Sequence, residues 1–236
     1  MKLIKFMFFL AFFTGIAGSV IYHREVYRYS LRVYYERVKK EGLEDSLKKA
    51  KAMYSRDEYA KLKPYLSDLM TLYPGNREIV RLLGLTRIEL GDRIEGARLI
   101  VSSMKEDEDL STMQSVLEIL YEEKEYPDLI DVFSRHEPRE RYPKFIYGMS
   151  FYHLHRWEDA IPRLVAARDA GQDGFELHFA LGTSYENAGK IENAVASFEA
   201  AFALEPHRAD ARQALVRAYR KAKKYDKAEK LGRTAP

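Results

Sequence analysis

The chain has 236 residues, 46% of them hydrophobic and 32% charged, with a formal net charge of +3 and no cysteine. That is long and apolar enough for a stable core. The near-neutral balance argues against nucleic acid as a partner, and the lack of cysteine excludes a disulfide framework or a thiolate zinc site.

The first element is apolar. From Phe6 to Tyr22 no residue is charged, and Leu3 and Ile4 extend the run with only Lys5 interrupting. A spanning helix needs about 20 such residues, so residues 1–22 read as a single membrane anchor with Lys5 snorkelling to the surface. A competing reading makes Lys2 and Lys5 the n-region of a signal peptide, Phe6–Phe13 its h-region and Ala17-Gly18-Ser19 its cleavage site. Arg24, Arg28 and Arg32 come soon after, and positive charge there opposes export, which favours the uncleaved anchor. Basic residues on the two flanks nearly tie, so charge does not orient the segment. A short N-terminal span more often leaves the bulk of a bacterial-type protein outside the cytoplasm, and the soluble part is expected on the periplasmic side. Within the span Ala11, Gly15 and Ser19 fall four apart, a small-residue face suited to helix dimerisation.

Residues 23–42 are expected to form a helix leaving the bilayer. Tyr22, Tyr27, Tyr29, Tyr34 and Tyr35 suit a headgroup belt, and Arg24, Arg28 and Arg32 form a basic stripe. Such a stripe attracts anionic lipid at about 1 kcal/mol per residue. The plainer reading is a solvated linker helix whose tyrosines pack on the first of the soluble helices.

From residue 43 onward the chain repeats. Ala50, Tyr54, Tyr59, Leu62, Leu66, Leu69 and Pro74 outline a first copy. Leu83-Gly84, Gly91 at a turn and Ala97 opening a second helix outline another. Gly84 to Gly148 is four residues short of two full steps, so a compressed copy is expected at 110–140, around Leu120, Tyr126, Leu129 and Phe133. Thereafter the step is 34: Gly148, Gly182 and Val216; Phe151, Tyr185 and Tyr219; Ala160, Ala194 and Ala228. Leu181 and Tyr185 share one helix face, and Ala194, Phe198 and Ala201 recur at i, i+4 and i+7 on a second. Gly182 and Ala194 permit close backbone approach, Gly189 suits the turn, and Pro206 stops the second helix.

The copy from Phe175 to Arg208, with Leu181-Gly182, Tyr185, Ala194, Phe198, Ala201 and Pro206, resembles the tetratricopeptide repeat (TPR). His178 stands where that pattern has tryptophan. The resemblance implies an all-α, right-handed superhelical solenoid of about six helical hairpins, near 43–76, 77–109, 110–140, 141–174, 175–208 and 209–236. It also implies a concave groove lined by the first helix of each hairpin. The groove candidates are Tyr142, Phe145, Met149 and Tyr152, then Glu176, Phe179, Thr183, Glu186 and Asn187, then Asp210, Gln213, Arg217, Arg220 and Lys221. The aromatic set could anchor a peptide or a partner helix, or could be covered by neighbouring repeats. Some relatives grip a chaperone's terminal carboxylate with lysine and asparagine. The matching positions over 141–208 are largely aromatic, acidic or small, so that clamp is not expected here.

No catalytic, cofactor or metal site is expected: the chain has no phosphate-binding glycine loop, no H-E-x-x-H and no nucleophile elbow. His153 and His155 are two apart on a helix, which turns their rings away from each other. The function expected is a membrane-tethered scaffold that binds another protein in its groove. The alternative is an exported peptide- or ligand-binding subunit of a transport or envelope-assembly system. A third reading is a homo-oligomer joining the acidic middle, with Glu118, Glu122, Glu123, Glu125 and Asp128, to the basic end, with Lys223, Lys224, Lys227 and Lys230.

Overall fold

Each hairpin begins with two amphipathic segments whose stripes have nothing to bury against but each other and the next copy. A computed structural model describes residues 23–35, 41–105 and 113–233. The chain divides into two compact units, Met1–Met104 and Lys105–Pro236. Among the described residues every regular element is a helix, as the repeat pattern predicts. The first, α1, covers residues 23–33. In the first unit α2 (Leu43–Tyr54) pairs with α3 (Tyr59–Leu72), and α4 (Arg77–Glu89) with α5 (Arg93–Ser102). In the second α6 (Gln114–Glu122) pairs with α7 (Tyr126–Arg135), α8 (Arg141–His153) with α9 (Trp157–Asp169), α10 (Phe175–Asn187) with α11 (Ile191–Leu204), and α12 (Ala209–Lys221) with α13 (Tyr225–Arg233).

These six hairpins turn alike. One residue at each turn has φ between 58° and 89°: Asp57, Gly91, Lys124, His155, Gly189 and Lys223. The following amide donates to the carbonyl five residues back, from Glu58 to Met53 through to Lys224 to Tyr219, at 2.8–3.1 Å. That bond closes the first helix as a Schellman-type cap. Glycine takes the left-handed conformation freely, but four of these six turns force it on a residue with a side chain. The turns are spaced 34, 33, 31, 34 and 34 apart. The missing four residues therefore fall on either side of Lys124, and the hairpin there is the compressed one, with helices of 9 and 10 residues.

In the α4–α5, α8–α9 and α10–α11 hairpins a glycine on the first helix meets a bulky residue on the second where the two cross. A Cβ on Gly84 would lie 2.6 Å from Ile100, on Gly148 2.7 Å from Leu164, and on Gly182 2.6 Å from the Phe198 ring. In the α4–α5 hairpin the facing residue is Gly96, whose own Cβ would lie 2.6 Å from the Gly84 carbonyl. Ala97, expected to open the second helix, lies a turn inside α5 and is buried, and it is Gly96 that makes the crossing.

The hairpins share cores with their neighbours. In the first unit Leu62, Leu66 and Leu69 of α3 pack with Ile79, Leu82 and Leu83 of α4. In the second, Phe151 and Leu164 pack with Leu177 and Leu181, and Phe198 with Ala214, Leu215 and Ala218. The α1 segment joins the first core: Tyr35 is 5% exposed and its ring lies 6.1 Å from that of Tyr65. Tyr27 Oη donates to Asp68 at 2.9 Å. No helix among the described residues is long and apolar enough to cross a membrane, and the candidate span with Ala11, Gly15 and Ser19 lies outside the described residues.

Two substitutions test the crossing and the turn. Gly182→Ala should lower unfolding stability by about 1–3 kcal/mol through overpacking against Phe198, seen as a lower urea midpoint. An unchanged midpoint would mean that the ring can move aside. Lys124→Gly should raise stability by about 1 kcal/mol by relieving a left-handed lysine.

Candidate partner-binding groove

Residues spaced three or four apart on the first helices of the second unit form one face across successive hairpins. On α8 this face carries Tyr142, Phe145 and Tyr152, all half-buried, while Met149 is withdrawn into the core beside Leu181. It also carries two residues that the groove expected from the repeat does not include. Tyr121 of α6 stands 31 residues before Tyr152, the shortened step of this repeat, so the same register would have found it. His153, at the end of α8, stacks on Tyr126 with centroids 4.6 Å apart and shares a 3.3 Å hydrogen bond with the Tyr121 hydroxyl.

The rings of Tyr121, Tyr126, His153, Tyr152 and Trp157 form a continuous cluster. Tyr152 lies edge-on to His153 and to Trp157, at 5.4 and 5.6 Å. Burial pushes the Tyr121 hydroxyl up to about 12, helped by Tyr126, Tyr142, Glu176 and Tyr152. Burial likewise raises Tyr142, with Glu118 and Glu122 adding to it. Burial, then His155 and Lys124, hold His153 below the usual histidine range, which favours the neutral ring. His155 sits in the hairpin turn with its ring 4.9 Å from Trp157. The two histidines therefore serve different contacts.

On α10 the face is more committed to structure. Phe179 stacks on Phe175 at 5.3 Å and meets Phe198 edge-on at 5.6 Å. Thr183 is half-buried, and its carbonyl accepts from Asn187 Nδ2 at 2.8 Å. Glu176 is exposed. His178, in the tryptophan position, is partly buried and bonds Asp173 at 2.8 Å. Glu186 is 8% exposed and is held by two cations. Arg217 donates to it from Nε and Nη2, both at 2.8 Å, and Lys221 from Nζ at 2.9 Å. Burial alone would raise this carboxyl, but the charged bonds from Arg217 and Lys221 outweigh it and hold the pKa below the usual range.

On α12, Gln213, Arg217, Arg220 and Lys221 lie at the surface, and Asp210 accepts from Arg208 Nη2 at 2.7 Å. The face thus runs from aromatic and acidic at α6 and α8 to cationic at α12. In the first unit, Tyr27 and Tyr34 are 51% and 44% exposed, and Arg24 is exposed too. Arg28 pairs with Glu25 at 3.1 Å, and Arg32 lies one turn further along the helix. These residues belong to the first unit, and the α6–α12 face belongs to the second.

Residues 187–236 match the tetratricopeptide-repeat family. No curated protein sequence is measurably similar to the chain. Among solved structures, MamA residues 41 to the end from Desulfovibrio magneticus RS-1 is 15% identical, over 79% of this chain and 91% of that one, with a TM-score of 0.40. MamA AMB-1 is 17% identical over 80% and 93%, with a TM-score of 0.41. MamA MSR-1 is 19% identical over 87% and 99%, with a TM-score of 0.39.

The Glu186 cluster sets a pH dependence. A carboxylate with a lowered folded pKa contributes stability above its unfolded value, lost as pH falls through the folded one. Glu186→Gln should cost about 1–2 kcal/mol at neutral pH, allowing for its exposed partners, and should flatten the acid limb of a stability–pH curve. An unaltered acid limb would assign that limb to other carboxylates.

Proposed function

We propose that this chain is a protein-interaction scaffold, tethered to a membrane by residues 1–22, which holds a partner segment in the groove of its second unit. The observation that carries the reading is the half-buried aromatic run of Tyr121, Tyr142, Phe145 and Tyr152 on adjacent first helices. Rings left partly exposed on a scaffold face bury a large apolar area on contact with little loss of rotamer freedom. Glu118, Glu122 and Glu176 flank them, so the groove favours a partner with an apolar anchor and basic neighbours. The work is binding, not catalysis.

Membrane tethering rests on the uncharged run from Phe6 to Tyr22. In this reading the span is single-pass, Arg24, Arg28, Arg32, Tyr27 and Tyr34 meet lipid at its edge, and the repeats lie on the periplasmic side. The small face of Ala11, Gly15 and Ser19 supports pairing of two spans.

Two experiments test these halves separately. The double variant Phe145→Ala, Tyr152→Ala should lose at least about tenfold in affinity for the co-purifying partner, with the helical signal and melting profile preserved. Retention of the partner would remove the aromatic groove as its site. The chain has no native cysteine, so Thr234→Cys reports topology with an impermeant thiol reagent on intact cells. Labelling with Met1 present in the mature protein is the expected result; protection until lysis would put the repeats in the cytoplasm.

A further inference from the structure

The step of 34 residues pairs Ala209, Arg212, Val216 and Gly232 with Phe175, His178, Gly182 and Phe198. In the α10–α11 hairpin that face is filled and covered. Phe198 occupies the space above Gly182, and α12 lies across it with Ala211, Ala214, Leu215 and Ala218. In the α12–α13 hairpin both large rings are gone. Ala209 replaces one and Gly232 the other, and a Cβ on Gly232 would meet nothing within 4 Å. Val216 is larger than the glycine it replaces but does not refill the site. The result is an open cavity of about 900 Å³, with Ala209, Val216 and Gly232 on its walls.

Its remaining lining is cationic: Arg212, Arg217, Arg220 and Lys221, with Gln213 and His207. Glu186 neutralises one charge's worth of Arg217 and Lys221. Among the described residues Arg220 has no carboxylate partner, and Arg212 Nε is buried without an acceptor. The equivalent internal face takes a helix with small apolar residues. This one lacks both rings and carries an excess of positive charge, so what completes it must bring carboxylates as well as an apolar knob.

We propose that the outer face of α12–α13 is a docking socket for an acidic amphipathic helix of a partner protein. A large apolar side chain of that helix would fill the space vacated at Gly232, and its carboxylates would meet Arg212 and Arg220. This deepens the scaffold reading and rests on it: the same partner, or a second one, is held at the cationic end of the groove. The geometry requires the helix to lie on α12 as α12 lies on α10, with one Leu- or Phe-sized residue over Val216 and Gly232 and acidic residues one turn to either side.

The test is direct binding to the full chain in mild detergent. The probe is a fluorescently labelled glutamate–leucine peptide of about 18 residues with leucines at helical spacing, and its lysine–leucine counterpart is the control. The acidic peptide should bind and the basic one should not. Arg212→Glu with Arg220→Glu should weaken binding at least about tenfold, as should a rise from about 50 to about 300 mM salt. Gly232→Phe keeps every charge and meets open space, yet should weaken binding by a similar factor by filling the socket. Equal binding of both peptides overturns the proposal, as does full affinity in the Gly232→Phe chain. Displacement of the peptide by phosphatidylserine vesicles from parent and Gly232→Phe chains alike would also overturn it, because the face would then be a lipid surface recognised by charge alone. The α8 aromatics are untouched in every variant, so failure here is separable from failure of the aromatic groove.

Discussion

The close crossing of two helices in the α4–α5, α8–α9 and α10–α11 hairpins is the constraint on which the rest depends. At Gly84, Gly148 and Gly182 the first helix presents bare backbone, and Ile100, Leu164 and Phe198 of the second helix occupy the space a side chain would need. Overlap of that kind leaves one way to pair the helices. It also fixes where the remaining side chains of the first helix point. With one edge of α8 or α10 pressed against its own partner and another against the preceding hairpin, the third edge has nowhere to go but the groove.

That geometry explains why the groove is not uniform. Phe179 stays on the groove edge but is drawn into stacking with Phe175 and Phe198, and Met149 sinks into the core beside Leu181. Glu186 is recruited into a fork from Arg217 with Lys221 added, joining α10 to α12 across neighbouring hairpins. A carboxylate 8% exposed survives there only because three donor groups replace its lost water. What remains at least partly exposed is the aromatic run at the α6–α8 end and the cations at the α12 end.

Much of this was legible in the sequence, for a physical reason. In the α8–α9 and α10–α11 hairpins a small residue at the crossing, an aromatic one turn on and an apolar knob opposite serve the same packing, so they recur at the repeat length. The four missing residues placed the compressed hairpin at 110–140, where α6 and α7 are short helices of 9 and 10 residues. Other features left weaker marks. Glycine at a turn is a readable signal; Asp57, Lys124, His155 and Lys223 adopt the same left-handed conformation without one. Gly96 looks less informative than Ala97 in the sequence, although it is Gly96 that touches Gly84. Tyr121 escapes the groove assignment because it belongs to the one copy whose step is 31.

By itself the sequence determined the paired helices seen among the described residues, since a period of 34 encodes local pairing and little else. It also holds the uncharged run at the N-terminus. The tertiary structure alone decided which outward residues are spent. It buried Met149, locked Glu186 between two cations, gathered Tyr121, Tyr126, Tyr152 and His153 into one cluster, and opened a cavity where Gly232 stands in place of a phenylalanine. Those outcomes depend on residues from different hairpins meeting in space, and a repeat read one copy at a time carries no record of them.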